Sequence, residues 1–420
     1  MINIISNIFQ QPRKYALIAV LVISVFIIIR QLQNHNTQYL DASNSHSQVS
    51  QFFRKMKSSK PPTEPYSIMI TGGAGFIGSH IAEHFLRNEP LCEAVVIYDN
   101  LHSTIQSSGR KDATTNSNLE FLIDLDKSLS KGKSRLVFIK ASIMDREDLR
   151  KALSTYRIRF VYHLAALISV PESMSDPQIY FQVNSMGTDI VLEECRRAKH
   201  VKKVILSSSA AIYGMEPTVP KVENMNPSCE SPYAQTKYDG EFLCKFHTQQ
   251  ALDENAKTGE SSEPMVAIAL RYFNVFGERQ DPNSQYAAAI PRFIDRACVK
   301  HEAIEVFGDG RQTRDFVYVK DVVWANVYAS FNIGDFGVFN VGYGSSITIN
   351  QLADLVENQC SKLTGTPVKK RIYHPKRIGD VTSSLASVRR LKNNGWEPKF
   401  NFKDSVIQTI DYFYRQTKRH

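Results

Sequence analysis

An apolar run that stops at glycines and restarts as a helix governs what this 420-residue chain can become: Ile68-Met-Ile-Thr-Gly-Gly-Ala-Gly-Phe-Ile-Gly-Ser-His80. The spacing of Gly72, Gly75 and Gly78 gives each glycine a separate task. One bends the chain sharply, a second lets the backbone approach a pyrophosphate, and a third allows helix and strand to pack closely. Free N–H groups at the helix start then face the phosphate. A second apolar run, Ala94 to Ile97, ends in Tyr98-Asp99. That places a carboxylate roughly 20 to 30 residues beyond the first glycine, where it meets ribose hydroxyls. An acid at this point favours NAD over NADP, since it repels a 2′-phosphate and no arginine follows closely until Arg110.

Apolar runs and helix-like stretches alternate beyond this turn, which predicts an α/β fold, a Rossmann doubly wound parallel sheet with crossover helices. Candidate strands are Ser67–Ile70, Ala94–Tyr98, Leu136–Ile139, Phe160–Leu164, Lys203–Ser207 and Val266–Leu270. Two polar stretches, Ser103–Asn118 and Asp253–Glu263, read as surface excursions. From Arg271 the alternation loosens, so the expected division is a dinucleotide domain over 66–270 and a smaller C-terminal lobe over 271–420, partly interleaved with it.

A net charge of +9 is modest for this length, and the basic residues are scattered rather than striped along one face. That argues against a nucleic-acid surface. Six cysteines, Cys92, Cys195, Cys229, Cys244, Cys298 and Cys360, lie far apart with no metal-ligand spacing, and read as reduced thiols with no metal site.

Residues 1–65 fall outside the expected fold. Tyr15–Ile29 carries no charge and is bracketed by Arg13-Lys14 and Arg30, so a single-pass anchor helix over about 15–30 is expected to precede the domain, with a cleaved signal peptide as the competing reading although no small-x-small site follows at once. It is short for a hydrocarbon core of about 30 Å, which fits a thin early-secretory membrane, ER or Golgi. The slight excess of positive charge before the anchor favours a cytosolic N-terminus and a lumenal catalytic part, a type II arrangement. The polar stretch from Gln31 to Pro65 reads as a stem.

In Ser231-Pro-Tyr-Ala-Gln-Thr-Lys237, Pro232 suits the first turn of a helix, and Tyr233 and Lys237, four apart, share a face. A phenol titrates near 10, and a neighbouring ammonium favours its phenolate, the form that can take a proton. The pair follows a strand ending in Ser207-Ser208-Ser209, and ligands bind beyond the carboxyl ends of such strands.

Taken together, Thr-Gly-Gly-Ala-Gly-Phe-Ile-Gly-Ser-His, Tyr-Asp-Asn, His-Leu-Ala-Ala, Ser-Ser-Ser-Ala-Ala-Ile-Tyr-Gly, Ser-Pro-Tyr-Ala-Gln-Thr-Lys and Arg-Tyr-Phe-Asn-Val-Phe-Gly resemble the extended short-chain dehydrogenase/reductases, specifically the nucleotide-sugar 4-epimerases. The resemblance covers about Tyr66 to the end. It implies that the C-terminal lobe binds a UDP-sugar and that NAD removes and restores a hydride at C4, through a transient 4-keto sugar. It further implies Ser209, Tyr233 and Lys237 as the catalytic set, with Tyr233 the acid/base. NAD contacts are implied at Gly72, Gly75, Phe76, Ile77, Gly78, Asp99, Asn100, Ser142, Ile143, Ala165, Tyr233, Lys237 and Tyr272. Substrate contacts are implied at Ser209, Asn274, Arg314, Arg377, Asp380 and Ser384. A homodimer is common in the family, though no stretch here demonstrates one.

Departures from relatives narrow the expectation. Dehydratases of this kind carry an Asp-Glu pair where this chain has Ala210-Ala211, so no acid is placed to expel water. Glucose-restricted epimerases tend to carry a bulky tyrosine four residues beyond Asp380, where Ser384 leaves room for a 2-acetamido group. UDP-GlcNAc/UDP-GalNAc is therefore the first expectation and UDP-glucose/UDP-galactose the second, with a UDP-glucuronate epimerase or decarboxylase as a further alternative. Where the family usually pairs an Asp with adenine, this chain reads Lys140-Ala-Ser142, and a serine hydroxyl can still hydrogen-bond.

Overall fold

The computed structural model describes residues 62–102, 114–130, 132–259, 263–281, 289–376 and 381–418. The expected anchor, and the expected stem up to residue 61, lie outside these residues. Among the described residues no helix is long and apolar enough to cross a membrane.

The sheet is built from seven parallel strands: β1 (Tyr66–Thr71), β2 (Cys92–Tyr98), β3 (Leu136–Ile139), β4 (Ile158–His163), β5 (Lys203–Ser209), β6 (Val266–Tyr272) and β7 (Gly337–Val341). Their spatial order is β7-β6-β5-β4-β1-β2-β3. Six were expected from their apolar runs, since strands covered on both faces need no alternation. The seventh was not expected. Its short Gly-Val-Phe-Asn-Val sequence joins β6 in parallel register, with Phe339 opposite Leu270. Because the order reverses at β1, the crevice between β1 and β4 is where a ligand meets the carboxyl ends of the strands.

Successive residues of β1 point to opposite faces, as the pleat requires. Ile68 and Ile70 enter a core with α1 (Phe76–Asn88) and α2 (Ser117–Leu129), while Met69 enters a second core with α3 (Arg146–Thr155), α4 (Gly187–Arg197) and α5 (Pro232–Thr258). A later helix, α6 (Val319–Asn332), completes the first layer through Val322 and Val323. Helices α7 (Ile349–Thr364) and α8 (Phe402–Thr417) build a third core through Leu352, Val356, Val406 and Ile410.

Two expectations are corrected. Asp253–Thr258 lies at the surface as expected but does not leave the helix: it is the last part of the 27-residue α5, which stops at Gly259 in a left-handed conformation (φ 64°). The helix runs on because no glycine or proline interrupts it from Asp253 to Thr258, and it ends at Gly259, where glycine can turn left-handed and its nitrogen donates to the Asn255 carbonyl. Cys298 and Cys360 are not reduced: they form a disulfide with Cα atoms 5.1 Å apart, joining α7 to the helical turn at Asp295–Val299. Cys92, Cys195, Cys229 and Cys244 are free.

Candidate functional site

The glycine turn has the close packing its spacing implies. Gly72 takes φ +69°, and a Cβ there would lie 2.8 Å from the Ala165 nitrogen. Gly78 is tighter still, with a Cβ 2.4 Å from the Gly72 carbonyl oxygen. Gly75 is the N-cap of α1 and provides no side-chain cap, so the first turn of Phe76, Ile77 and Gly78 presents backbone N–H groups as a phosphate seat. Asp99 sits beside this seat, accepting from the Ala74 nitrogen (3.0 Å) and the Leu101 nitrogen (2.8 Å). Burial raises its pKa, against the pull of those two hydrogen bonds. A carboxylate has about four acceptor positions, so ribose hydroxyls still find room on it.

The remaining expected cofactor contacts spread around this seat. Asn100 is exposed, and its side-chain oxygen accepts from the His102 nitrogen (3.0 Å). Ser142 follows β3 and accepts from the Met144 nitrogen (3.2 Å), while neighbouring Ile143 is buried against Gly187. The Ala165 nitrogen donates to the Thr71 hydroxyl (3.3 Å). The Tyr272 hydroxyl is engaged inside the protein, donating to Asn326 Oδ1 (2.9 Å) and hydrogen-bonded to Ser207.

Ser209 ends β5, and the Ser231 side chain caps α5 by accepting from the Ala234 nitrogen. With Pro232 at its first turn, α5 starts where it brings Tyr233 to the end of β5. Tyr233 and Ser209 are hydrogen-bonded. Burial raises the phenol's pKa, and the Ser209 bond opposes that rise. Lys237 Nζ donates to the Ser207 carbonyl (2.9 Å) and lies 5.9 Å from the Tyr233 ring centroid. Burial lowers its pKa to about 8. An ammonium has three donors, so this lysine retains capacity for a ribose hydroxyl. The three expected catalytic side chains are thus brought together.

The substrate residues assemble across a second junction. Asn274 Nδ2 donates to the Asp315 carbonyl (2.9 Å), holding the chain beside Arg314. Arg314 Nη1 donates to the Thr313 carbonyl (2.8 Å), and that same carbonyl accepts from the Ser384 nitrogen (3.1 Å). Arg314 and Ser384 are therefore neighbours. Arg377 and Asp380 lie outside the described residues.

Sequence reasoning passed over two residues in the same region. Asp315 is fully buried and accepts from the nitrogens of Tyr343 (2.7 Å), Gly344 (3.0 Å) and Ala386 (3.1 Å), fastening the chain on either side of Arg314 and Ser384. Burial raises its pKa to about 6. His163 bridges the hydroxyls of Thr71 (2.7 Å) and Thr188 (2.9 Å), and burial, reinforced by Lys237, lowers its pKa to about 3. A neutral imidazole beside the ammonium avoids a second buried charge. The only signal for His163 is its place at the head of the His-Leu-Ala-Ala stretch, and for Asp315 its place directly after Arg314. Among the described residues no group of three or more His, Cys, Asp or Glu side chains is arranged to hold a metal.

Comparison with known proteins follows the same lines. The sequence model of the NAD dependent epimerase/dehydratase family matches residues 68–342. UDP-glucose 4-epimerase of Mycolicibacterium smegmatis is 33% identical over 83% of this chain and 99% of that protein. The structure of UDP-N-acetylglucosamine 4-epimerase from Methanobrevibacter ruminantium, in complex with UDP-N-acetylmuramic acid, is similar with a TM-score of 0.68 and 34% identity, covering 84% of this chain and all of that one (100%). That of UDP-glucose 4-epimerase from Thermus thermophilus, in complex with NAD, has a TM-score of 0.64 and 30% identity, covering 83% and 98% of the two chains.

Proposed function

The chain belongs to the NAD dependent epimerase/dehydratase family, and from that premise we propose that it inverts C4 of UDP-GlcNAc and UDP-GalNAc. At the coarser level it is an NAD-dependent UDP-sugar 4-epimerase, an isomerase. The observation that carries the catalytic reading is the convergence of Tyr233, Ser209 and Lys237 on the end of β5. NAD, when bound, would supply the acceptor and then the donor for the C4 hydride. The glycine turn with Asp99 would hold its pyrophosphate and ribose, and Lys237 the nicotinamide ribose.

Tyr233 as phenolate takes the proton of the sugar 4-hydroxyl and returns it from the same oxygen, so no net proton is exchanged. Ser209 steadies that oxygen and the sugar hydroxyl between them. Lys237, positively charged below about pH 8, favours the phenolate. Inversion demands that the hexose present both faces while the nucleotide stays fixed. Arg314 suits the fixed end, since a guanidinium pairs two phosphate oxygens at once.

The N-acetyl preference rests on Ser384, a small side chain on the strand edge beside Arg314. UDP-glucose/UDP-galactose is the second reading, favoured by relatives such as the M. smegmatis enzyme. Incubating the purified full-length chain with UDP-GlcNAc, UDP-glucose and UDP-glucuronate separately, then resolving the products, tests both. Faster conversion of UDP-glucose than of UDP-GlcNAc would reverse the order, and release of carbon dioxide from UDP-glucuronate would replace epimerisation with decarboxylation. We further propose an anchor at Tyr15–Ile29 in an early-secretory membrane, with the enzyme on the lumenal side. The Cys298–Cys360 disulfide supports an oxidising compartment. Protease protection of the enzyme in sealed microsomes tests it, and digestion without detergent would overturn it.

A further inference from the structure

Three consecutive residues at the end of β5 attach to α5 at points spaced four residues apart. Ser209 meets Tyr233, the Ser207 carbonyl meets Lys237, and the Ser208 hydroxyl donates to Glu241 Oε1 at 2.6 Å. The first two of these helix positions belong to the chemistry. Glu241 does not, being buried one turn beyond Lys237 on the same side of the helix.

Glu241 is itself held from the next strand. Arg271 of β6 stands opposite Ser208 in the parallel register and forks onto the carboxylate, Nε to Oε1 at 2.8 Å and Nη2 to Oε2 at 2.7 Å. Both side chains are 4% exposed. The guanidinium also lies 4.9 Å from the ring centroid of Tyr213, in the turn that follows Ser209. The Tyr213 hydroxyl donates to Asn340 Oδ1 of β7 at 2.7 Å. One ion pair therefore ties together β5, β6, β7, α5 and the segment after Ser209.

A buried pair of this kind is a poor source of stability, because removing both charges from water costs about as much as their attraction returns. Its geometry is better suited to fixing position. The Ser231 cap fixes where α5 begins, and Glu241 fixes its phase against β5. Between those two points the helix has no freedom to slide or rotate, and Tyr233 and Lys237 lie between them. Proton transfer is steep in distance, and a misplacement of about 1 Å costs on the order of a hundredfold in rate.

The geometry points to Glu241 and Arg271 as positioning residues that set the register of α5 on β5, and through it the approach of Tyr233 to Ser209. The inference rests on Tyr233 being the acid/base. Neither residue touches substrate or cofactor in this account; both act through the helix.

The test uses the full-length chain carrying Ser208→Ala, Glu241→Leu and Arg271→Met together, which removes the pair without leaving a buried charge. We expect this variant to fold and to keep KM for the UDP-sugar within about threefold, because Arg314 lies on other elements, while kcat falls by about 10-fold to 100-fold. The phenolate absorbance that Tyr233→Phe removes, followed by ultraviolet difference titration in each background, should move to higher pH as the Ser209 bond loosens. Arg271→Lys, which keeps the charge but not the fork, should lie between wild type and the triple variant in kcat. A folded triple variant with wild-type kcat and an unmoved Tyr233 titration overturns the proposal. So does a triple variant that fails to fold, since the pair would then serve stability. Failure of the acid/base assignment is seen separately: Tyr233→Phe alone would retain turnover.

Discussion

Gly78 approaches Gly72 so closely that a methyl group on the first would stand 2.4 Å from the carbonyl oxygen of the second. It would also lie 2.8 Å from the Gly73 Cα. Both neighbours are backbone and cannot swing away. Gly78→Ala should therefore push α1 off the turn, weaken NAD binding at least tenfold, and lower stability by about 1–3 kcal/mol. Bound nicotinamide nucleotide in the purified protein and thermal unfolding measure the two effects.

Removing the Tyr233 oxygen removes the proton acceptor and leaves the phosphate seat untouched. Tyr233→Phe should lower kcat by a factor on the order of 10²–10⁴ while the protein still carries NAD. Turnover within about threefold of wild type would reassign the acid/base.

Lys237 sets a pH dependence of definite sign. Burial lowers its pKa to about 8, so the positive charge that supports the phenolate fades as pH rises through that value. The kcat profile should show an alkaline fall near pH 8. Lys237→Arg, slower throughout, should lack it, because a guanidinium stays charged. For folding the sign is opposite. The unfolded lysine keeps its proton up to about 10.5, so this group's cost to stability shrinks between pH 8 and 10.5.

Ser384 joins the Thr313 carbonyl beside Arg314. Ser384→Tyr should reduce kcat/KM for UDP-GlcNAc by at least about tenfold, a steric penalty of roughly 1.4 kcal/mol, and leave UDP-glucose within about threefold. Equal losses on both substrates would place the acetamido group elsewhere.

The disulfide closes a long loop, with 62 residues separating its ends. Chain-entropy reasoning gives it about 4 kcal/mol. The paired change Cys298→Ala/Cys360→Ala should lower the unfolding free energy by about 2–4 kcal/mol, read from denaturant titration, with little effect on KM.

The strands around the site were legible because parallel strands covered on both faces are continuous apolar runs, as in Met69 to Ile70 or Val204 to Leu206. The glycine turn and the Tyr233/Lys237 pair were legible because their spacing is itself the geometry. The Gly337–Val341 strand escaped because it carries a buried polar residue, Asn340, whose amide is satisfied by the Lys221 carbonyl (2.9 Å) and the Tyr213 hydroxyl (2.7 Å). No sequence pattern announces partners more than 100 residues away. Glu241 escaped for a similar reason. An acid in the middle of a helix reads as a solvated charge until Arg271 is seen to cover it. The disulfide was illegible because six scattered cysteines leave the pairing to tertiary structure.

The return of Gly337–Val341 to the edge beside Val266–Tyr272 also decides how the gene can be cut. A fragment ending near residue 270 would leave the buried, apolar run Val266–Leu270 as an unpaired margin, ready to recruit a strand from another molecule. Neither half is a portable module: trimming for expression can begin ahead of Tyr66, but no truncation point inside the sheet leaves a soluble nucleotide-binding piece.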